Sequence, residues 1–164
     1  MFKKLLFFCL CFLVMNIANA EIQQFTNSFD NTMHIYVISE KTKSQFPRFF
    51  VFRKIISPES TKYYLSIQNN IIMSKYFSNM ENIKLKINDE KLYVSPTKIS
   101  PLSDRTNQAT ILLDDSLIGN LQNIQKMVLQ IPVFMEEFSR VESYYYLEVP
   151  QSFISEWKQV IAME

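Results

Sequence analysis

The chain has 164 residues, 48% hydrophobic and 14% aromatic, with a formal net charge of +1. That length fits one domain with a substantial core, the apolar content excludes intrinsic disorder, and the near-neutral charge argues against a general nucleic-acid binder. A single glycine, Gly119, excludes the P-loop and the dinucleotide fingerprint, both of which need several.

The first twenty residues follow the three-part layout of a secretory signal peptide. Lys3 and Lys4 supply a positive start, Leu5 to Met15 an unbroken apolar run, and Ala18-Asn19-Ala20 a small-x-small cleavage site before Glu21. The apolar run is about half of the roughly 20 residues that a spanning helix needs. Cys9 and Cys11 lie inside that run, away from the cleavage point where a lipoprotein would carry its cysteine. The expectation is an exported protein, periplasmic or extracellular, cut near Ala20, with one globular domain over residues 21–164. No transmembrane segment is expected in that mature chain. Cleavage removes both cysteines and leaves a domain without disulfides, which must rest on its apolar core.

Glu21 to Thr32 reads as a polar lead-in. Met33 to Ile38 predicts a strand with Met33, Ile35 and Val37 on one face and His34, Tyr36 and Ile38 on the other. Arg48 to Ile56 is aromatic and β-branched, the composition of a buried strand. Ser57-Pro58-Glu59-Ser60 breaks it, and Lys62 to Gln68 returns as the second arm of a hairpin. Ile71 to Met80 is ambiguous, with one or two helical turns over Ser74 to Met80 as one reading.

Ile83, Leu85 and Ile87 alternate with Lys84, Lys86 and Asn88, and Leu92 and Val94 resume after a turn. This predicts a hairpin with one wet and one buried face. Ser95 to Gln108 reads as a loop with a short strand, and Ala109 to Leu113 as a strand. Asp114, Asp115 and Ser116 offer a cap to a helix from about Leu117 to Lys126. Met127 to Phe134 predicts a strand that Pro132 would bend or place at an edge. Arg140 to Val149 predicts another strand. Phe153, Ile154, Trp157, Val160 and Ile161 trace the apolar stripe of a closing helix after Pro150.

The expected fold is mainly β, an antiparallel β-sandwich or partly open barrel with two short amphipathic helices. The alternative is an α+β arrangement with both helices on one face of an antiparallel sheet.

Catalytic constellations are sparse. His34 is the only histidine, and one glycine cannot build a GxSxG elbow. One histidine and no mature cysteine make a zinc site a poor fit. Asp114-Asp115 reads as a helix cap rather than a calcium loop, and adjacent Glu136 and Glu137 as a solvated loop rather than a glycosidase pair. No catalytic residue, metal ligand or cofactor is expected.

The aromatic groups are the remaining candidates. Phe49 and Phe50, and Tyr144, Tyr145 and Tyr146, fall on successive strand positions and so reach both faces of their strands. They are the expected interaction surface, since tyrosine is a favoured interface anchor. The expectation is a non-enzymatic envelope or secreted protein, an interaction or assembly module whose partner is another exported or envelope protein. A binder of a small hydrophobic ligand or lipid is the alternative, and a hydrolase using dispersed carboxylates a more distant one. Lys84, Lys86 and Pro132 suggest protection of a sheet edge.

Overall fold

A computed structural model describes residues 20–41, 46–68, 75–77, 81–89, 91–94, 96–103, 106–135 and 143–164. Residues 1–19 of the signal segment lie outside these residues, as do Glu136 and Glu137.

Strand alternation builds a first sheet of six antiparallel strands: β1 (Ile22–Asn27), β2 (Thr32–Glu40), β3 (Phe49–Ile56), β4 (Thr61–Gln68), β8 (Thr97–Ser103) and β9 (Thr106–Leu113). Their order is β1-β2-β3-β4-β9-β8. Ile35 and Val37 of β2, Phe50 and Phe52 of β3, and Leu65 and Ile67 of β4 point inward and are fully buried. The second sheet runs β11-β10-β6-β7, from β11 (Ser143–Glu148), β10 (Met127–Met135), β6 (Lys84–Ile87) and β7 (Lys91–Val94). A three-residue strand β5 (Lys75–Phe77) also pairs with β10. Leu85, Leu129, Ile131 and Leu147 bring the inner face of this sheet into the same core. Among the described residues the fold is a mainly β sandwich with two short helices and no closed barrel.

The helices sit where their caps put them. Asp114 opens α1 (Asp115–Leu121) by accepting from Leu117 N at 2.7 Å. The helix stops at Leu121, short of the expected Lys126. Asn88 Oδ1 takes the backbone N–H groups of Gln125 and Lys126 at 2.9 and 3.1 Å, donors a continuing helix would have spent on its own carbonyls. The closing helix α2 (Gln151–Ala162) packs against β2 and β3 with Ile154, Trp157 and Val160 buried. Trp157 stacks on Phe52 with centroids 5.4 Å apart and ring planes at 12°.

Turns are made almost without glycine. Asn31, Asn88 and Asp89 take positive φ of 54°, 50° and 60°, a region Asn and Asp tolerate better than other side chains.

Several expectations change. The polar lead-in pairs with β2 as edge strand β1, so its side chains need little core. The segment read as loop from Ser95 forms β8, an edge strand whose register shifts between Pro101 and Ser103; proline is tolerated at such a bulge. Part of the segment read as helical turns forms β5, and its remainder lies outside the described residues.

Pro132 is not at an edge, because β10 lies between β11 and the β5/β6 side. Pairing to β6 ends at Gln130 and pairing to β5 begins at Val133, so Pro132 falls in the gap between two partner strands. Lys84 and Lys86 lie on an internal strand, between β10 and β7, and guard no edge.

Candidate interaction surface

The register of the second sheet aligns Tyr146, Gln130, Lys84 and Val94 in one row and Glu148, Val128, Lys86 and Leu92 in the next. All project away from the core, because their strand neighbours Leu129, Leu85 and Leu147 project into it. This outer face carries more apolar surface than a solvated sheet face needs. Tyr146 is 65% exposed, Leu92 62% and Val94 55%, and Tyr144 is also exposed.

Polar contacts hold the two tyrosines. The Tyr144 hydroxyl donates to the Glu81 carboxylate, 2.8 Å from each oxygen, and that hydrogen bond is the main reason its pKa rises above the ordinary 10.0. Lys84 Nζ lies 5.9 Å from the Tyr144 ring centroid. Gln130 Nε2 donates to the Tyr146 hydroxyl at 3.0 Å. Strand β11, which presents both rings, ends the second sheet among the described residues.

The five aromatic candidates therefore divide. Tyr144 and Tyr146 share the outer face. Tyr145 points to the other side, half-buried, with its ring edge-on to Phe46 at 5.3 Å. Phe50 is fully buried against Phe153 and belongs to the core, not to a surface. Phe49 is half-buried on the first sheet, under the Arg48 guanidinium at 4.4 Å, and Arg48 is paired with Glu40 at 2.6 Å.

Leu92 and Val94 are the contributors that alternation alone assigned to the buried face. Ile87 pairs with Lys91, which places Tyr93 opposite Leu85 and sends Leu92 and Val94 outward.

The other groups considered for chemistry have structural partners. His34 stacks on Phe25 with centroids 4.5 Å apart and its Nε2 lies 3.1 Å from Thr32 Oγ1. The Thr32 hydroxyl spends its proton on Asp30 Oδ1 at 2.7 Å, so His34 Nε2 is the donor of the pair. These bonds from Thr32 hold the Asp30 carboxyl below its ordinary 3.8. Asp114 is occupied by its cap and by Ser116 Oγ at 2.8 Å. Among the described residues no cluster of three or more His, Cys, Asp or Glu could hold a metal ion, and no helix is long and apolar enough to cross a membrane. Compared with known proteins, the chain matches no protein family, no curated protein and no solved structure.

Proposed function

We propose that the chain is an exported, non-enzymatic interaction module that binds another envelope or secreted protein through the outer face of its second sheet. The signal-peptide layout of residues 1–20 supports export. The observation that carries the interaction reading is that exposed Tyr144 and Tyr146 on β11 and exposed Leu92 and Val94 on β7 bracket one sheet face. Hydrogen bonds to Glu81 and Gln130 limit the freedom of both rings before binding, which lowers the entropic cost of a contact. The fitting partner is an extended segment that lies across the four strands of this outer face, with apolar side chains for the tyrosines at one end and for Leu92 and Val94 at the other, and an acidic residue for Lys84 or Lys86 between them.

The test is site-specific photo-cross-linking in cells that export the tagged protein, with the photoreactive residue at position 146 and, as control, at Lys62 of the other sheet. One dominant envelope protein captured from position 146 alone, and lost in a Leu92→Ser/Val94→Ser background, supports the reading. Equal capture from both positions, or none with the protein exported and folded, overturns it.

A further inference from the structure

The outer face of the first sheet carries a different chemistry. Arg53, Tyr64, Ser66, Gln108, Thr110 and Lys98, from four adjacent strands, line a cleft of about 340 Å³. That volume falls at the lower end of small-molecule sites, roughly 300–1,000 Å³. The register explains the convergence: Arg53 lies opposite Tyr64 across β3 and β4, and Ser66, Thr110 and Lys98 line up across β4, β9 and β8.

The floor is preorganised. Gln68 Nε2 donates to Gln108 Oε1 at 3.0 Å, which turns the Gln108 amide so that its Nε2 donates to Thr110 Oγ1 at 2.9 Å and lies 3.4 Å from Ser66 Oγ. Ser66 Oγ and Thr110 Oγ1 are 3.0 Å apart. Two hydroxyls bring two protons, and their mutual contact uses one. The second has no acceptor among the described residues and is free for an oxygen in the cleft.

The banks are cationic. Arg53 Nε is buried and has no hydrogen-bond partner among the described residues, although a buried guanidinium donor is costly to leave unpaired. Its guanidinium carbon lies 5.7 Å from the Tyr36 ring centroid, a contact that leaves the Nε–H unpaired. Among the described residues neither Arg53 nor Lys98 forms an ion pair and no carboxylate lines the cleft. Three strand spacings, roughly 14 Å, separate the backbones of the strands that carry the two cations. A ligand touching both is therefore longer than a simple oxyanion. It offers an anionic group to one bank, hydroxyls to the Ser66/Thr110/Gln108 floor, and a ring face to Tyr64.

We propose that this cleft binds an acidic saccharide, a sugar ring bearing a carboxylate or a phosphate. The guanidinium takes the charge with the strength of a charge-assisted bond, and the hydroxyl and amide floor reads the ring hydroxyls.

The experiment is a titration of the folded, exported protein at low salt, followed by calorimetry and amide NMR shifts. The probes are glucuronate, glucose 6-phosphate, neutral glucose and inorganic phosphate. Arg53→Gln and Lys98→Gln are titrated beside the wild type, after thermal unfolding confirms that each folds. The expected result is that one or both acidic sugars bind about tenfold or more tightly than glucose and inorganic phosphate, and that each substitution weakens them about fivefold to tenfold. Shifts should cluster on β3, β4, β8 and β9. Preference for glucuronate identifies a uronic acid site, and preference for the phosphate ester a sugar-phosphate site. Equal binding of inorganic phosphate, equal binding of glucose, no binding by either acidic sugar, or indifference to Lys98→Gln each overturns the proposal. Lys98 is exposed, so that last variant remains informative even where Arg53→Gln fails to fold.

Discussion

Glu156 Oε2 accepts a 2.5 Å hydrogen bond from Ser39 Oγ, joining α2 to β2 inside the core. Both residues are buried, Ser39 completely. Before the proposed cleavage near Ala20, the Ala20 backbone N–H also reaches the other carboxylate oxygen, at 3.4 Å. A buried carboxylate with one good donor depends heavily on that donor. Ser39→Ala should cost about 1–3 kcal/mol, the penalty of stranding a buried polar group. The double variant Ser39→Val/Glu156→Leu, which removes both polar partners, should recover most of the loss. Urea unfolding of Ser39→Val, Glu156→Leu and the double variant measures the coupling, and additive losses would contradict it.

Lys54 closes the other end of the same helix. Its Nζ donates to Ile161 O at 3.1 Å and to Met163 O, at a helix end whose last turn has no basic residue of its own. Burial pushes its pKa below the ordinary 10.5, an effect only partly offset by Glu164. The unfolded chain therefore holds this proton more tightly than the folded one. Stability contributed at this position should rise as pH climbs through the lowered folded value toward 10.5. Relative to Lys54→Met, the wild type should gain ground over that alkaline window, as read from unfolding free energies at stepped pH. A constant difference between the two proteins would contradict the prediction.

Asn88 has two separable duties. It adopts φ of 50°, and its Oδ1 holds the chain after α1 through Gln125 N and Lys126 N. Asn88→Gly keeps the backbone freedom and loses the bonds, at about 1 kcal/mol. Asn88→Ala loses both, at about 2–3 kcal/mol. Thermal unfolding that ranks the alanine variant at or above the glycine variant would show that the positive φ carries no strain.

Beside it, the Asp89 carboxylate pairs with Lys126 at 3.0 Å. The hydrogen bond from Lys126 holds the Asp89 pKa below 3.8, and the same bond lifts Lys126 above 10.5. The contribution of Asp89 is thus complete above the ordinary 3.8 and is lost as pH falls through the lowered folded value. The contribution of Lys126 is complete below 10.5 and is lost as pH rises through its raised folded value. The Tm gap between wild type and Asp89→Asn should stay level across neutral pH and close at both extremes. Both side chains are exposed, so the gap should also shrink in high salt.

Trp157 is the only tryptophan and is fully buried, with an indole Nε1 that has no partner among the described residues. Trp157→Ala should cost about 3–5 kcal/mol through the cavity it leaves. Trp157→Phe keeps a ring against Phe52 and removes the orphaned N–H, so it should cost less than half as much. Circular dichroism during denaturant unfolding compares them, since both variants lack the tryptophan signal.

The hairpin β3–β4 and the helix α2 were legible because their patterns are strong. Phe50 and Phe52 on β3, and Leu65 and Ile67 on β4, fall two residues apart, and Phe153, Trp157 and Val160 recur at helical spacing. Strands β1 and β8 were not, because edge strands need little apolar surface and their hydrogen bonds are made by backbone, which leaves no side-chain signature. The tyrosine surface was half legible. Tyr144 and Tyr146 stand out as residues, but the exposure of Leu92 and Val94 follows from the pairing of Ile87 with Lys91.

By itself the sequence determined the β-rich class and the closing helix, because each depends on local order or composition. Only the tertiary structure decided which residues meet. Arg53 and Lys98 are far apart in the chain and face one cleft because β9 pairs with β4 and carries β8 with it. Strand pairing at long sequence separation is a choice among backbones that all offer the same donors and acceptors. Packing of the whole core, rather than any local pattern, selects among them.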